Sequence, residues 1–152
     1  MRKVLLPLLA SLAVASPAFA HETRVEARGG VIWNDGEEEA IAGVAAGYDV
    51  DVGNAFLGAE VSADKILTSN TRVSFGAGAR AGARISDVGK LYATGGWASK
   101  NCRYCDDSLY AGAGYQHNFG SKLYGKVEYR HYFYDNGVSD PDAVTAGLGV
   151  RF

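Results

Sequence analysis

Beyond residue 20 the sequence has no long apolar run. Nothing there approaches the roughly 18 consecutive apolar residues a membrane-crossing helix requires, so any crossing must be made by strands. Proline is scarce, with three in 152 residues, and cysteine occurs only twice. An excess of cations is missing too. The 15 Lys and Arg residues are outnumbered by 17 Asp and Glu, a formal charge of −2, which argues against nucleic acid as a partner. No repeat longer than a strand and its turn is visible, and no composition shift marks a second domain.

What the chain has is glycine. It holds 20 glycines, nearly twice the usual share of about 7%. That much glycine disfavours helices, and nine tyrosines disfavour a disordered linker.

The first residues read as an export signal. Arg2 and Lys3 precede an apolar stretch from Val4 to Val14, and Ala18, Phe19 and Ala20 supply a small-residue cleavage site. Cleavage after Ala20 leaves residues 21–152 as one domain. Export implies an oxidising compartment, where Cys102 and Cys105 are expected to be bonded.

From Arg24 onward, eight segments alternate between apolar and polar residues: 24–33, 41–52, 55–65, 72–85, 90–99, 108–119, 122–134 and 143–152. The connections alternate as well. NDGEEEA, TSNT, KNCRYCDD and DNGVSDPD read as long loops at one end, while Gly53 with Asn54, SDVG, and Gly120 with Ser121 read as tight turns at the other. This pattern predicts an all-β, eight-stranded antiparallel up-and-down barrel, whose closure leaves no unpaired edge.

Two orientations compete. A soluble lipocalin-like barrel turns its apolar phase inward around a small apolar ligand, whereas a transmembrane barrel turns it toward lipid. Three features predict apolar-out. Glycine collects on the polar phase, where a narrow lumen needs room for long side chains. That phase also balances Glu26, Asp49, Asp51, Glu60, Asp64 and Glu128 against Arg28, Arg80, Arg84, Lys126, Arg130 and Arg151, as confined charges require. Finally, the apolar phase of residues 72–85 carries four successive alanines, at 77, 79, 81 and 83. These pack poorly as a protein core but suit a fluid lipid. On the same phase Trp33, Tyr48, Trp97, Tyr115, Phe119, Phe133 and Phe152 stand near segment ends, as interfacial girdles do.

Two stretches, KLYGKVEYRHYFY at 122–134 and the closing AVTAGLGVRF, resemble a known family. They are similar to the eight-stranded outer-membrane barrels related to the transmembrane domain of outer membrane protein A and to the opacity-type surface antigens of Gram-negative bacteria. In that family the penultimate strand commonly reads as a hydrophobic residue followed by E-Y-R-Y, and the last strand ends in an aromatic. The resemblance implies location in the outer membrane, lipid and lipopolysaccharide as neighbours, and no cofactor. It also implies that Leu148, Val150 and Phe152 form an insertion signal read by the outer-membrane assembly machinery. Since no residue follows Phe152, no peptidoglycan-binding domain is expected.

Further expectations concern chemistry. The charges Glu26, Arg28, Asp49, Glu60, Arg80, Arg84, Lys126, Glu128, Arg130 and Arg151 should form a paired network that plugs the lumen and prevents general diffusion of solutes. Cys102 and Cys105 are expected to tie their loop as a disulfide. Redox activity would need a helix N-terminus, and zinc would need two further ligands; free thiols remain the alternative. Eight-stranded lipid A deacylases carry a His and a Ser two residues apart. Here that spacing joins His131 to Phe133, so no enzyme is expected. The acidic runs at 35–39 and 135–142 are read as solvated loop tips, and the barrel as a monomer.

Overall fold

The computed structural model describes residues 20–103, 105–135 and 139–152. The export signal lies almost entirely outside the described residues. Eight strands follow one another: β1 (His21–Asn34), β2 (Glu37–Val52), β3 (Ala55–Ile66), β4 (Ser74–Arg84), β5 (Gly89–Ala98), β6 (Ser108–Phe119), β7 (Leu123–Phe133) and β8 (Asp142–Arg151). Each pairs antiparallel with its sequence neighbours, and β8 closes the barrel on β1 from Arg24↔Arg151 to Trp33↔Asp142. No helix occurs among the described residues.

The outer surface is apolar. Val127 is 54% exposed and Leu148 71%, while Arg80 is 2% and Glu128 1% exposed. Ala77, Ala79, Ala81 and Ala83 are all exposed on β4. Soluble monomers rarely present a continuous apolar patch beyond a few hundred Å², and this belt runs around the whole barrel. It is the reverse of the arrangement a lipocalin-like barrel needs. Exposed aromatics sit at two heights: Phe75, Trp97 and Phe133 toward the loop end, and Tyr48, Tyr115, Phe119 and Phe152 toward the turn end.

The register explains where glycine goes. Arg28 lies between Gly43 and Gly147, Glu60 between Gly47 and Gly78, and Tyr92 between Gly82 and Gly114. A Cβ at Gly47 would run into the Arg24 guanidinium, and one at Gly114 into the Tyr92 ring. Glycine flanking long inward side chains is what lets eight strands enclose them.

One loop differs from the sequence expectation. NDGEEEA is not a long loop, because β1 and β2 pair up to Asn34↔Glu37. The connection is a two-residue turn with φ of 48° at Asp35 and 89° at Gly36. Left-handed backbone at both central positions is the hairpin geometry Asp-Gly favours, because its twist matches that of the flanking strands. Glu37 and Glu39 therefore belong to β2. At 14 and 16 residues, β1 and β2 exceed the ~9–11 residues a tilted strand needs to cross a bilayer, so this hairpin rises beyond the apolar belt.

Candidate functional site

The interior has three levels. At the turn end, Glu22 bridges Lys90 at 3.1 Å and Arg151 at 2.9 Å, and Arg84 pairs with Asp51. Arg151 stands opposite Arg24 in the register, a like-charge juxtaposition that costs stability unless each finds an acid. Each does, since Arg24 turns instead to Glu60 at 2.7 Å.

The middle level is a dense ion network. Glu60 meets Arg24, Arg130 at 2.9 Å, Arg28 at 3.1 Å and Lys126 at 3.5 Å. Glu128 takes Arg130 at 2.5 Å and Lys126 at 3.3 Å, and accepts the Tyr92 hydroxyl at 2.6 Å. Glu26 holds Lys126 at 2.6 Å and accepts the Tyr124 hydroxyl at 2.7 Å. Arg28 reaches across to Asp64 with two nitrogens, at 2.6 and 2.8 Å. Arg80 forks onto Asp49 and touches Gln116 at 3.1 Å. Burying a charge costs several kcal/mol, and the multiple partners at Glu60, Glu128 and Glu26 offset that cost.

Aromatic rings complete this level. The Arg80 guanidinium lies 5.1 Å from the Phe56 ring and 4.9 Å from Tyr92; the Lys90 ammonium is 5.0 Å from Phe56, and Arg130 4.4 Å from Tyr110. Phe56, 1% exposed, is an apolar residue in a charged lumen. Its ring faces serve two cations, an interaction worth ~2 kcal/mol or more when desolvated.

Above the network the interior changes character. Ile32, Ile41, Ile66, Tyr132 and Tyr134 surround a constriction of about 30 Å³ that also touches Asp64 and Arg130. It shares Ile32, Ile66 and Tyr134 with an open cup of about 580 Å³ at the loop end, whose walls include Glu37, Glu39, Asp35, Asp106 and Cys105. Burial pushes the Tyr134 phenol above its ordinary pKa, so it stays protonated. A disulfide joins Cys102 to Cys105 in the loop beside the cup.

Of the residues named from sequence, Glu26, Arg28, Asp49, Glu60, Arg80, Lys126, Glu128 and Arg130 meet in the middle level, while Arg84 and Arg151 lie at the turn-end rim. Glu22, Arg24 and Lys90 were missed. All three stand at the margin of a segment, where alternation has too few positions to assign a phase, although Glu22 and Arg24 share the parity of Glu26. The inward aromatics Phe56, Tyr92, Tyr110 and Tyr124 were also missed, since hydropathy alone sends an aromatic to the lipid side. Leu148, Val150 and Phe152 point outward at the end of β8. His131 lies at the loop end of β7, with Nδ1 2.8 Å from Asp142 and its ring 4.7 Å from Phe133; Tyr129 donates to the same carboxylate at 2.5 Å.

Residues 6–152 match the model of the outer membrane protein beta-barrel domain. A search of curated proteins gives no match. Among solved structures, the N-terminal β-barrel domain of Pseudomonas aeruginosa OprF superimposes with a TM-score of 0.64 at 14% identity, covering 88% of this chain and 99% of that one. Neisserial surface protein A gives 0.60 at 14% identity, covering 90% and 100%. Yersinia pestis Ail, the attachment invasion locus protein, in complex with a heparin analogue, gives 0.56 at 16%, covering 88% and 99%. At these identities the three structures speak for the fold alone.

Proposed function

The chain belongs to the outer membrane protein beta-barrel domain family, and from that premise we propose that it is a closed, monomeric barrel with a structural and surface-display role and no general porin activity. One observation carries this reading. The lumen is occupied from Glu22 to Asp64 by ion pairs and aromatic rings, and eight strands leave no wide path around them. The loop end faces outward, the termini and tight turns face the periplasm, and the apolar belt is covered by lipid with lipopolysaccharide beside the loop-end aromatics. The reading assigns no cofactor and no reaction, since a hydrolytic triad needs a nucleophile beside its His–acid pair and the position two beyond His131 is Phe133.

Planar-bilayer recording of the purified barrel tests the plug. Brief, small events or silence are expected, and a large stable conductance would overturn it. Biogenesis is tested separately. Deleting Phe152, on the proposed insertion signal with Leu148 and Val150, should sharply lower the heat-modifiable form recovered from outer membranes. Unchanged yield would remove that role.

A further inference from the structure

The loop-end cup differs in chemistry from everything below it. Its floor is apolar: Ile66 is 9% exposed, and Ile32 and Tyr134 lie beside it. Its wall is acidic, with no Lys or Arg among the described lining residues. The volume of about 580 Å³ falls within the ~300–1,000 Å³ of small-molecule sites.

Asp35 is tied into the loop structure, whereas Glu37 and Glu39 are not. Asp35 accepts a hydrogen bond from the Ser139 hydroxyl, and the Asn34 amide donates to the Ser139 carbonyl at 3.0 Å, which holds the β1–β2 hairpin against the last loop. The side chains of Glu37 and Glu39 make no ion pair or hydrogen bond among the described residues. They face the cup because the tight Asp35 and Gly36 turn extends β2 upward and sets odd-numbered residues on the inward phase, in step with Ile41, Ala45 and Asp49. The intervening Glu38 has the opposite parity and lies across from Trp33. Two unpaired carboxylates above an apolar floor form a site for a body that is itself apolar and carries one positive end. An anion would meet repulsion, and a neutral apolar molecule would leave the carboxylates without a partner.

We propose that the cup binds a small organic ammonium ion with an apolar body, the ammonium resting between Glu37 and Glu39 and the body against Ile32, Ile66 and Tyr134. The plug beneath makes the cup blind, so the ligand enters and leaves from the loop end and is not transported. Conductance reads the plug and ligand titration reads the cup, so either reading can fail while the other stands.

The test is calorimetric titration of the full chain, folded in zwitterionic micelles, with phenethylammonium and with two comparison probes, 2-phenylethanol and 3-phenylpropionate. Heats from empty micelles are subtracted. Saturable binding of the ammonium is expected, about tenfold tighter than the alcohol, with none for the carboxylate; the factor is that of one charge-assisted contact. Glu37→Gln with Glu39→Gln should weaken the ammonium by about tenfold or more and leave the alcohol unchanged. Glu38→Gln should change nothing. Ile66→Phe, which fills the floor, should weaken ammonium and alcohol together, with heat-modifiable gel mobility showing that the barrel is folded. The proposal is overturned if the ammonium does not saturate above the micelle background, if alcohol and ammonium bind alike, or if the double variant binds as the parent does.

Discussion

The same strand supplies carboxylates to two very different places. Asp49, near the turn end of β2, is completely buried and held by Arg80 and Arg24. Glu37 and Glu39, at its other end, face the cup with no ion pair among the described residues. Both sets point inward and both are acids, so residue type and face do not separate them. Depth does: below the isoleucine layer a charge has lost water and must be compensated by protein, while above it the solvent does that work. The plug is thus obliged to be satisfied, and the cup is left available.

This contrast can be broken from the bottom up. Glu60→Ala is expected to have the largest effect, because it removes one shared carboxylate from four buried cations and takes from Arg24 its shortest ion pair. A loss of about 3–5 kcal/mol is predicted, measured as urea unfolding of the refolded barrel by tryptophan fluorescence; a loss under about 1 kcal/mol would mean that water already reaches this level.

Next comes the opposite face. Ala79→Arg puts a charge on the outer surface midway along β4, and should cost about 2–4 kcal/mol in a bilayer. The same substitution should be milder in detergent micelles, whose thin and deformable hydrocarbon shell lets the guanidinium reach water, so matched unfolding in lipid vesicles and in urea-compatible micelles checks both the sign and the cause.

Gly114→Leu should cost about 1–3 kcal/mol by overpacking. Its side chain would collide with Tyr92 and disturb that residue's hydrogen bond to Glu128. Pairing it with Tyr92→Ala should recover part of the loss. Simple additivity in the double variant would show that the glycine is not there for the ring.

At the small end, Glu39→Gln should alter stability by less than about 0.5 kcal/mol, as expected of a solvated position. A large effect by the same unfolding measurement would mean that the cup belongs to the plug after all.

Much of the barrel was legible in advance because strand alternation depends only on neighbouring residues. Residues 108–119 gave β6 without error, and the other segments are displaced at their ends by one to a few residues. The first hairpin was the exception. Three consecutive glutamates read as a loop by hydrophilicity, yet Asp35 and Gly36 alone make the turn. The two-residue turn signal was present, but the polar run that follows it hid the start of β2. Glu22, Arg24 and Lys90 escaped for a related reason, since Arg24 and Lys90 open their segments and Glu22 precedes one, and a period cannot be read from a segment's first residue.

The chain's local chemistry alone set the number of strands, their order and the division between an apolar and a charged face, because each is written into nearest-neighbour spacing and turn residues. Only the closed tertiary structure decided which acid meets which base, that Phe56 serves Arg80 and Lys90 across the lumen, and that the mouth above them holds unpaired carboxylates. Those outcomes depend on the stagger between strands far apart in sequence, and on how deep each residue then lies from water.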